Sequence, residues 1–326
     1  MPSLKEIKTR IASVSSTRKI TSAMKMVASS KLHHAQIAIQ NMLPYENCLE
    51  HILKSFLIST PGAESVYQIA HENVKKVALV VYTSNSSLCG AFNNNVLKMM
   101  DKAIDGYKAQ GVDDITIYPI GRKVEEYVKI HRKDCKSAGS YLSLADKPNA
   151  EGCRDISLEI SEKFRKGEYD KVELVYHHFK SAGSQILTRR VFLPIDLSTE
   201  TVGEYNDRDL SSNVATARAQ EYLKKNRQKK QNANGTEGVM LNDDFIVEPD
   251  LNTVLSMLVP QTLNLMIFTA LLDSVASEHA ARMVAMQTAT DNADELLRDL
   301  NLQYNKSRQA AITSELLDIV GGSVNN

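Results

Sequence analysis

The sequence lacks several residue patterns that define common protein classes. Its 326 residues include no tryptophan, only four cysteines, and 39 basic side chains balanced by 39 acidic ones. No two cysteines form a CxxC pair, which argues against a disulfide framework and indicates a reducing compartment. The zero net charge argues against broad, nonspecific binding of nucleic acid. With 43% hydrophobic residues, we expect a soluble intracellular protein with an apolar core.

The sequence also shows no clear membrane-spanning or targeting segment. No apolar run reaches the roughly 18 residues that a membrane span requires. The start, MPSLKEIKTR, is charged and has the pattern of a helix rather than that of a signal peptide. We therefore expect that the chain has no transmembrane segment of its own.

The first part of the chain has almost none of the residues that end helices. Between Ser3 and Ser59 there is one proline, Pro44, and no glycine. Ser3 is followed three residues later by Glu6, which is the spacing of a capping box. The sequence predicts one helix over Ser3–Ser59, with a bend near Pro44.

The last part of the chain has an apolar repeat of about 3.5 residues, which runs from Leu251 to Tyr304 and indicates a left-handed coiled coil. We expect Pro260 to kink this helix or to mark its true start, and Gly321-Gly322 to end it. Two long helices that flank a compact middle can pair only antiparallel. The longer C-terminal helix should extend about 15–25 Å past its partner.

The middle of the chain alternates strand and helix patterns. The pattern predicts, in order, a strand at Lys75–Ser84, a helix at Asn94–Gln110, a strand at Asp113–Gly121, a helix at Arg122–His131 and a hairpin that begins at Asp170–Phe179. This alternation indicates a βαβ unit in a mainly parallel sheet. The predicted fold class is therefore α/β, with a long antiparallel coiled coil formed by the terminal helices.

Composition divides the chain into four predicted parts. They are the N-terminal helix (1–59), the α/β domain (74–198), a polar insertion (199–244) and the C-terminal helix (245–322). The insertion is rich in asparagine, aspartate, serine and lysine, so we expect a solvated segment with at most a short helix at Ala215–Lys225.

The residues that could carry catalysis form no recognisable site. The stretch Thr83–Asn95 lies between a strand and a helix, where a phosphate-binding loop would be, but it has neither GK[ST] nor GxGxxG. The adjacent pairs His33-His34 and His177-His178 point to different faces, which is poor geometry for a metal. We predict no catalytic residue, no cofactor and no metal ion.

One stretch of the N-terminal helix turns polar on the face that should pack against its partner. Its seam positions hold Arg18, Thr21 and Lys25. The apolar residues move to a neighbouring row, which consists of Ile20, Met24 and Val27. A change of register explains the shift but not three successive polar positions. We interpret the stretch as a surface for a partner protein.

The far end of the C-terminal helix keeps an apolar stripe where no partner helix should reach. The stripe consists of Ile312, Leu316 and Ile319. Because an exposed stripe promotes aggregation, we expect another protein to surround it; the alternative is that it folds back onto the middle domain. A surrounding partner would also make polar contacts with neighbouring residues credible.

Three segments carry a family resemblance. They are LKEIKTRIASVSSTRKITSAMKMVASSKL at the start, SLCGAFN in the middle and ASEHAARMVAMQTATDNADELLRDLNLQYNKSRQAAITSELLDIVGG at the end. Together they resemble the gamma subunit of the F-type ATP synthase, over about Met1–Ser198 and Phe245–Gly322. The insertion is longer than in the usual bacterial form and lacks the cysteine pair of the chloroplast regulatory loop.

The resemblance implies a central rotor stalk with a Rossmann-like middle domain that binds no dinucleotide. It implies that the stalk stands inside a ring of three alpha and three beta subunits, with its foot on the membrane c ring beside the epsilon subunit. It also implies a non-catalytic, peripheral membrane protein on the cytoplasmic face of a bacterial inner membrane. Such a protein couples proton translocation to ATP synthesis or hydrolysis.

The resemblance also implies which residues meet the partners. The predicted partner-interface residues are Arg18, Lys19, Ile20, Met24, Lys25, Arg308, Gln309, Ile312, Thr313, Leu316 and Ile319. Met24 and Lys25 match the segment that faces the acidic lever of beta, and Arg308, Gln309 and Thr313 match residues that meet its catch loop. Two other readings of the sequence remain: a free-standing coiled-coil scaffold with an α/β head, and a nucleotide-binding enzyme that uses Thr83–Asn95.

Overall fold

The computed structural model describes residues 3–59, 67, 74–195, 247–248 and 250–324. Its helices are α1 (Leu4–Ser59), α2 (Phe92–Ala109), α3 (Arg122–His131), α4 (Leu142–Asp146), α5 (Ala150–Arg165) and α6 (Leu251–Val324). Its strands are β1 (Lys76–Tyr82), β2 (Asp114–Ile120), β3 (Lys136–Ser137), β4 (Lys171–Ser181) and β5 (Ser184–Leu193). The predicted polar insertion, with its short helix, lies outside the described residues.

Two compact units make up the chain. The first unit comprises Met1–Ser30 and Arg282–Asn326, and the second comprises Lys31–Ala281. The long helices α1 and α6 therefore each contribute residues to both units. This grouping follows spatial contact, whereas the four parts expected from composition follow the order of elements along the chain, and that division stays a prediction.

In the first unit, α1 and α6 pack side by side in opposite directions. Arg18 pairs with Asp294 and Thr21 with Thr290, so the partner's position falls as the position on α1 rises. The apolar side chains buried in this unit are Ile7, Ala28, Met286, Ala293 and Leu300. The predicted antiparallel pairing is confirmed.

The longer helix of this pair extends well past the shorter one. Arg18 lies opposite Asp294, so in the same register the first residue of α1, Leu4, lies opposite Arg308 of α6. The helix then continues to Val324, about 24 Å beyond the start of α1 at about 1.5 Å per residue. This distance agrees with the overhang expected from the sequence.

A mixed five-stranded sheet in the order β3-β2-β1-β4-β5 forms the second unit's scaffold. β1 runs parallel to β2 and β4, and β2 runs parallel to β3. The strands β4 and β5 form an antiparallel hairpin around Ala182-Gly183. The predicted βαβ unit, with α2 as its crossover, and the predicted hairpin are both confirmed.

The central strand β1 is buried on both faces of the sheet. Every residue from Val77 to Tyr82 is at most 1% exposed, which is why the strand reads as a continuous apolar run. Met100 of α2 and Val124 of α3 belong to the same buried cluster as Val77 and Leu79. The centre of the sheet therefore belongs to the core of the second unit, against which α2 and α3 pack.

Within the second unit, α6 is a core helix. Every residue from Thr269 to Ala280 is buried, including Asp273, Glu278 and His279. Within Thr253–Leu317, α6 is also long and apolar enough to cross a membrane, the one such helix in the described part of the chain. The apolar residues are interrupted by polar ones such as Thr262, Asn264 and Thr269, so no unbroken apolar run of this length occurs there, and the expectation that the chain has no transmembrane segment stays a prediction. In the most apolar stretch of this helix, 44% of the residues are buried within the protein.

Proline and glycine interrupt α6 less than the sequence predicted. The helix begins at Leu251 and continues through Pro260, so this proline does not mark its start. A proline frees the carbonyl one turn earlier, here that of Ser256, and Ser256 is exposed, so water can hydrate it. The helix also passes Gly321-Gly322 to reach Val324, because a helical glycine costs only about 1 kcal/mol relative to alanine.

Three described elements were not predicted from the sequence: β3, α4 and α5. The signal for α5 was present, since Asn149 caps the helix by accepting a hydrogen bond from the backbone N–H of Gly152 at 2.7 Å. Its buried face is formed by Cys153, Ile156, Ile160 and Phe164, which have helical spacing. With two residues, β3 is too short to show a periodic pattern.

Candidate partner-binding surface

An apolar row on the outer side of α1 is exposed within the first unit. Ile20 is 60% exposed and Val27 is 58% exposed. Met26, which was not among the residues predicted from the sequence, is 66% exposed. Large apolar side chains grouped within about two turns of one helix mark a protein-binding surface. The other predicted members of this segment are Met24 and Lys25, which are half-buried, and Lys19, which is exposed.

The polar seam positions of α1 contact α6. The Nη1 of Arg18 donates to Oδ1 of Asp294 at 2.9 Å, and Oγ1 of Thr21 lies 2.8 Å from Oγ1 of Thr290. Thr21 is buried, whereas 43% of the Arg18 side chain is exposed. The interpretation of these positions as partner surface is therefore wrong for Thr21 and incomplete for Arg18, because matching polar residues on α6 already engage both.

Polar side chains near the end of α6 are free of the seam. Arg308, Gln309 and Thr313 are all exposed. The hydroxyl of Thr313 donates to the carbonyl of Gln309 at 2.9 Å, so these two residues share one face, as their spacing predicted. This arrangement leaves the side chains of Arg308 and Gln309 directed toward solvent and accessible to a partner.

Apolar side chains near the same end are exposed as well. Ile312 is 49% exposed and Leu316 57%, while the side chain of Ile319 lies outside the described residues. Leu302 and Leu317, which were not selected from the sequence, are 69% and 66% exposed. The sequence did hold a signal for an exposed position, because both are apolar residues that lie outside the 3.5-residue apolar repeat. Together they enlarge the candidate surface.

The end of β1, where a phosphate-binding loop would lie, is filled by the chain's own groups. The amide of Asn93 accepts from the Ser84 N–H at 3.0 Å and donates to the Ser84 hydroxyl at 2.8 Å and to Cys89 Sγ at 3.1 Å. Gly121 has a φ of 101° and lies close to Thr83. A Cβ atom at position 121 would be 2.1 Å from the carbonyl oxygen of Thr83. These contacts occupy the groups that would otherwise face a phosphate.

The point where the strand order reverses, between β1 and β4, is also filled. Ligands of doubly wound sheets bind at such a point, beyond the strands' carboxyl ends. Here the buried rings of Phe92 and His177 stack with centroids 4.5 Å apart. Burial lowers the pKa of His177 from 6.5 to about 4, so this histidine is neutral near pH 7.

The cysteines and histidines of the described residues do not assemble into reactive sites. All four cysteines are free thiols. Burial raises the pKa of Cys153 to about 12, which keeps this thiol protonated and unreactive. In the part of the chain that the structure describes, no three His, Cys, Asp or Glu side chains are grouped to hold a metal.

The fold and these surfaces define a class of protein: a subunit of a larger assembly, built on a long antiparallel helix pair. Its sequence relatives identify the assembly. The family described as ATP synthase matches residues 3–324. The ATP synthase gamma chain of Bacteroides thetaiotaomicron is 50% identical over 324 residues, covering 99% of this chain and 100% of that protein. That of Flavobacterium johnsoniae is 39% identical over 323 residues, covering 99% and 98%. The chain belongs to the ATP synthase gamma-chain family.

Solved structures show the same fold. The central stalk and c-ring structure of the Tetrahymena thermophila mitochondrial ATP synthase includes a chain with a TM-score of 0.54 and 24% identity, covering 83% of this chain and 99% of that one. A chain of the Euglena gracilis rotor has a TM-score of 0.58 and 18% identity, covering 95% and 98%. The expected α/β fold with long terminal helices is confirmed.

Proposed function

We propose that this chain is the central rotating shaft of an F-type ATP synthase. In this role it couples proton translocation through a membrane c ring to ATP synthesis or hydrolysis at beta-subunit sites. The observation that carries the proposal is the helix pair, whose longer member extends about 24 Å past the other and exposes Ile312 and Leu316 there. The relatives' name, ATP synthase gamma chain, supports it.

The proposed partners are three alpha and three beta subunits around the shaft, with an epsilon subunit and the c ring at its foot. A structure of the Euglena gracilis OSCP, F1 and c-ring contains a chain of the same fold, with a TM-score of 0.59, which supports this arrangement. The proposed location is the cytoplasmic face of a bacterial inner membrane. The chain would be held there by the membrane-embedded c ring.

The proposed mechanism is a population shift driven by asymmetry. Three beta subunits of identical sequence would meet different sides of the shaft, so each would make different contacts at a given rotation angle. A contact that is stronger in one conformation of a beta subunit favours that conformation by the same free energy. Exposed Ile20 and Val27 beside exposed Lys19 offer contacts that can be exchanged at modest cost. The reacting groups would belong to the other subunits.

Replacing Arg308 and Gln309 by alanine tests the proposed contact with beta. Both side chains are exposed near the end of α6, so the double variant should fold and assemble normally. We expect ATP synthesis driven by a proton gradient to fall in vesicles that contain the complete enzyme. Gln303→Ala, at an exposed position on another face of α6, is the matched control. Unchanged synthesis in the double variant would remove both residues from the interface.

A further inference from the structure

The carboxylate of Glu46 lies where three elements of the second unit meet. Glu46 is on α1, and Oγ1 of Thr269 on α6 donates to its Oε1 at 3.0 Å. The Nη1 of Arg190 on β5 lies 3.9 Å from the same oxygen. The Nη2 of Arg190 also donates to Oε1 of Glu50, one turn along α1, at 3.1 Å. One polar cluster thus joins the sheet to both long helices.

This cluster is largely shielded from water. The Arg190 side chain is 15% exposed, and those of Glu46 and Glu50 are 11% and 13% exposed. Separating such charges is unfavourable, because each would be left poorly solvated without its partner. The Thr269 hydroxyl also lies near two carbonyls of its own helix, but the charged carboxylate is the stronger acceptor for its single proton.

Two further strands are fastened to α6 by hydrogen bonds. The contacts are Tyr82 Oη with the Ile267 carbonyl at 3.2 Å, His178 Nδ1 with Asp273 Oδ2 at 2.9 Å, and Ser277 Oγ with the His177 carbonyl at 3.2 Å. The strands concerned are β1 and β4, so three of the five strands hold a long helix through polar groups. The strand β5 reaches α1 in the same way, through Arg190.

Polar contacts differ from apolar packing in their resistance to sliding. The hydrophobic effect has no direction, and packed helices can shift against each other with little change in buried area. A hydrogen bond or a close ion pair weakens steeply when its distance or angle changes. A helix held to a sheet by such contacts therefore resists rotation relative to that sheet.

We propose that the cluster of Glu46, Glu50, Arg190 and Thr269 transmits torque from the sheet to the long helices. This proposal rests on the proposed function as a rotating shaft. Glu46 and Arg190 act as positioning residues, since they touch no reacting group and fix the rotational setting of α1 and α6 against β5. Without them α1 loses the polar contacts that fix its rotational setting against β5, while α6 keeps its hydrogen bonds to β1 and β4.

The neighbouring residue on β5 supplies a matched control. The Nε of Arg189 donates to Oε2 of Glu173 at 2.5 Å. Glu173 is on β4 and is 2% exposed, and it also accepts a hydrogen bond from the Tyr107 hydroxyl of α2 at 2.6 Å, so this Arg–Glu pair involves neither α1 nor α6. Removing Arg189, whose side chain is 38% exposed, breaks an Arg–Glu pair that contacts Tyr107 of α2 but leaves the Arg190 contacts with α1 in place.

The test compares Arg190→Met, Arg190→Lys and Arg189→Met in the complete ATP synthase in vesicles. The measured quantities are the number of protons pumped per ATP hydrolysed, the hydrolysis rate and the amount of assembled enzyme. We expect Arg190→Met to lose most proton pumping while hydrolysis continues. Arg190→Lys, which keeps the charge, should restore part of the pumping, and Arg189→Met should keep the wild-type ratio.

Two results would overturn the proposal: an unchanged ratio in Arg190→Met, or an equal loss of the ratio in Arg189→Met, which would indicate general destabilisation. If Arg190→Met does not assemble, Glu46→Gln gives the same measurement, because it keeps the side chain's shape and removes its charge. If the wild-type chain itself is absent from the assembled enzyme, the proposed function fails and the torque proposal fails with it.

Discussion

At the residue scale, burial controls the charge of His177. The ring is 3% exposed and stacked on Phe92, and burial lowers its pKa from 6.5 to about 4. Between these two values the unfolded chain binds a proton at this histidine and the folded chain does not. The stabilisation is therefore complete above about pH 6.5 and is lost as the pH falls toward about 4.

Replacing His177 by phenylalanine should remove this part of the pH dependence while keeping an aromatic ring against Phe92. The free energy of unfolding of the wild-type chain should fall between pH 6.5 and 4 by up to about 3 kcal/mol more than that of the variant. Urea unfolding at a series of pH values measures the difference. His34→Phe, at an exposed position, is the control and should keep the wild-type slope. Equal slopes for His177→Phe and wild type would contradict the assignment.

Residue roles that depend on distant partners could not be read from the sequence. Arg18 and Thr21 were recognised as polar seam positions because the apolar repeat places them there. Their partners Asp294 and Thr290 lie more than 260 positions away, and only the register of the helix pair selects them. Residues such as Glu46, whose partners come from two other elements, gave no local signal at all.

At the element scale, two polar pairs between α1 and α6, Arg18–Asp294 and Thr21–Thr290, form a polar layer. This layer fixes the register of the two helices more than it adds to the free energy of unfolding. Arg18 and Asp294 have side chains about two-fifths exposed, so water screens much of their attraction. A polar layer still favours one alignment, because any shift of the helices would separate the ion pair and the Thr21–Thr290 contact. The apolar seam supplies the affinity, and the polar layer specifies the alignment.

A double-mutant cycle on Arg18→Ala and Asp294→Ala in the full chain measures this division. We expect a coupling energy of only about 0.2–1 kcal/mol, which decreases further at high salt. The readout is the free energy of unfolding of the wild type, both single variants and the double variant. A coupling well above this range, insensitive to salt, would show that the ion pair holds the helices together.

Elements were predictable where a pattern ran long enough. α1 begins and ends within a residue of its predicted bounds, and α3 matches them, because the capping residues and the absence of glycine are local signals. The course of α6 through Pro260 and Gly321-Gly322 was not predictable, since tertiary packing can outweigh the local cost of these residues. The two-residue strand β3 depends entirely on its neighbour β2.

At the scale of the whole molecule, both the α/β fold and the family could be predicted from the sequence. The family was recognisable because the terminal helices contain stretches of sequence that are specific to it. The partner-interface residues stay predictions. The structure adds that Ile20, Arg308, Gln309, Ile312 and Leu316 are exposed and that Thr21 is not. A chain that exposes these side chains has a surface suited to surrounding subunits.

The most direct test of the shaft proposal is the mass of the complex that this chain enters. A tagged chain, expressed with its native membrane fraction, would be purified and weighed intact, alongside a version truncated after Asn305, which removes the end of α6. The account predicts a complex with three alpha and three beta subunits per tagged chain, and a weakened complex for the truncated version. A tagged homodimer that is indifferent to the truncation would contradict the account and favour a free-standing scaffold.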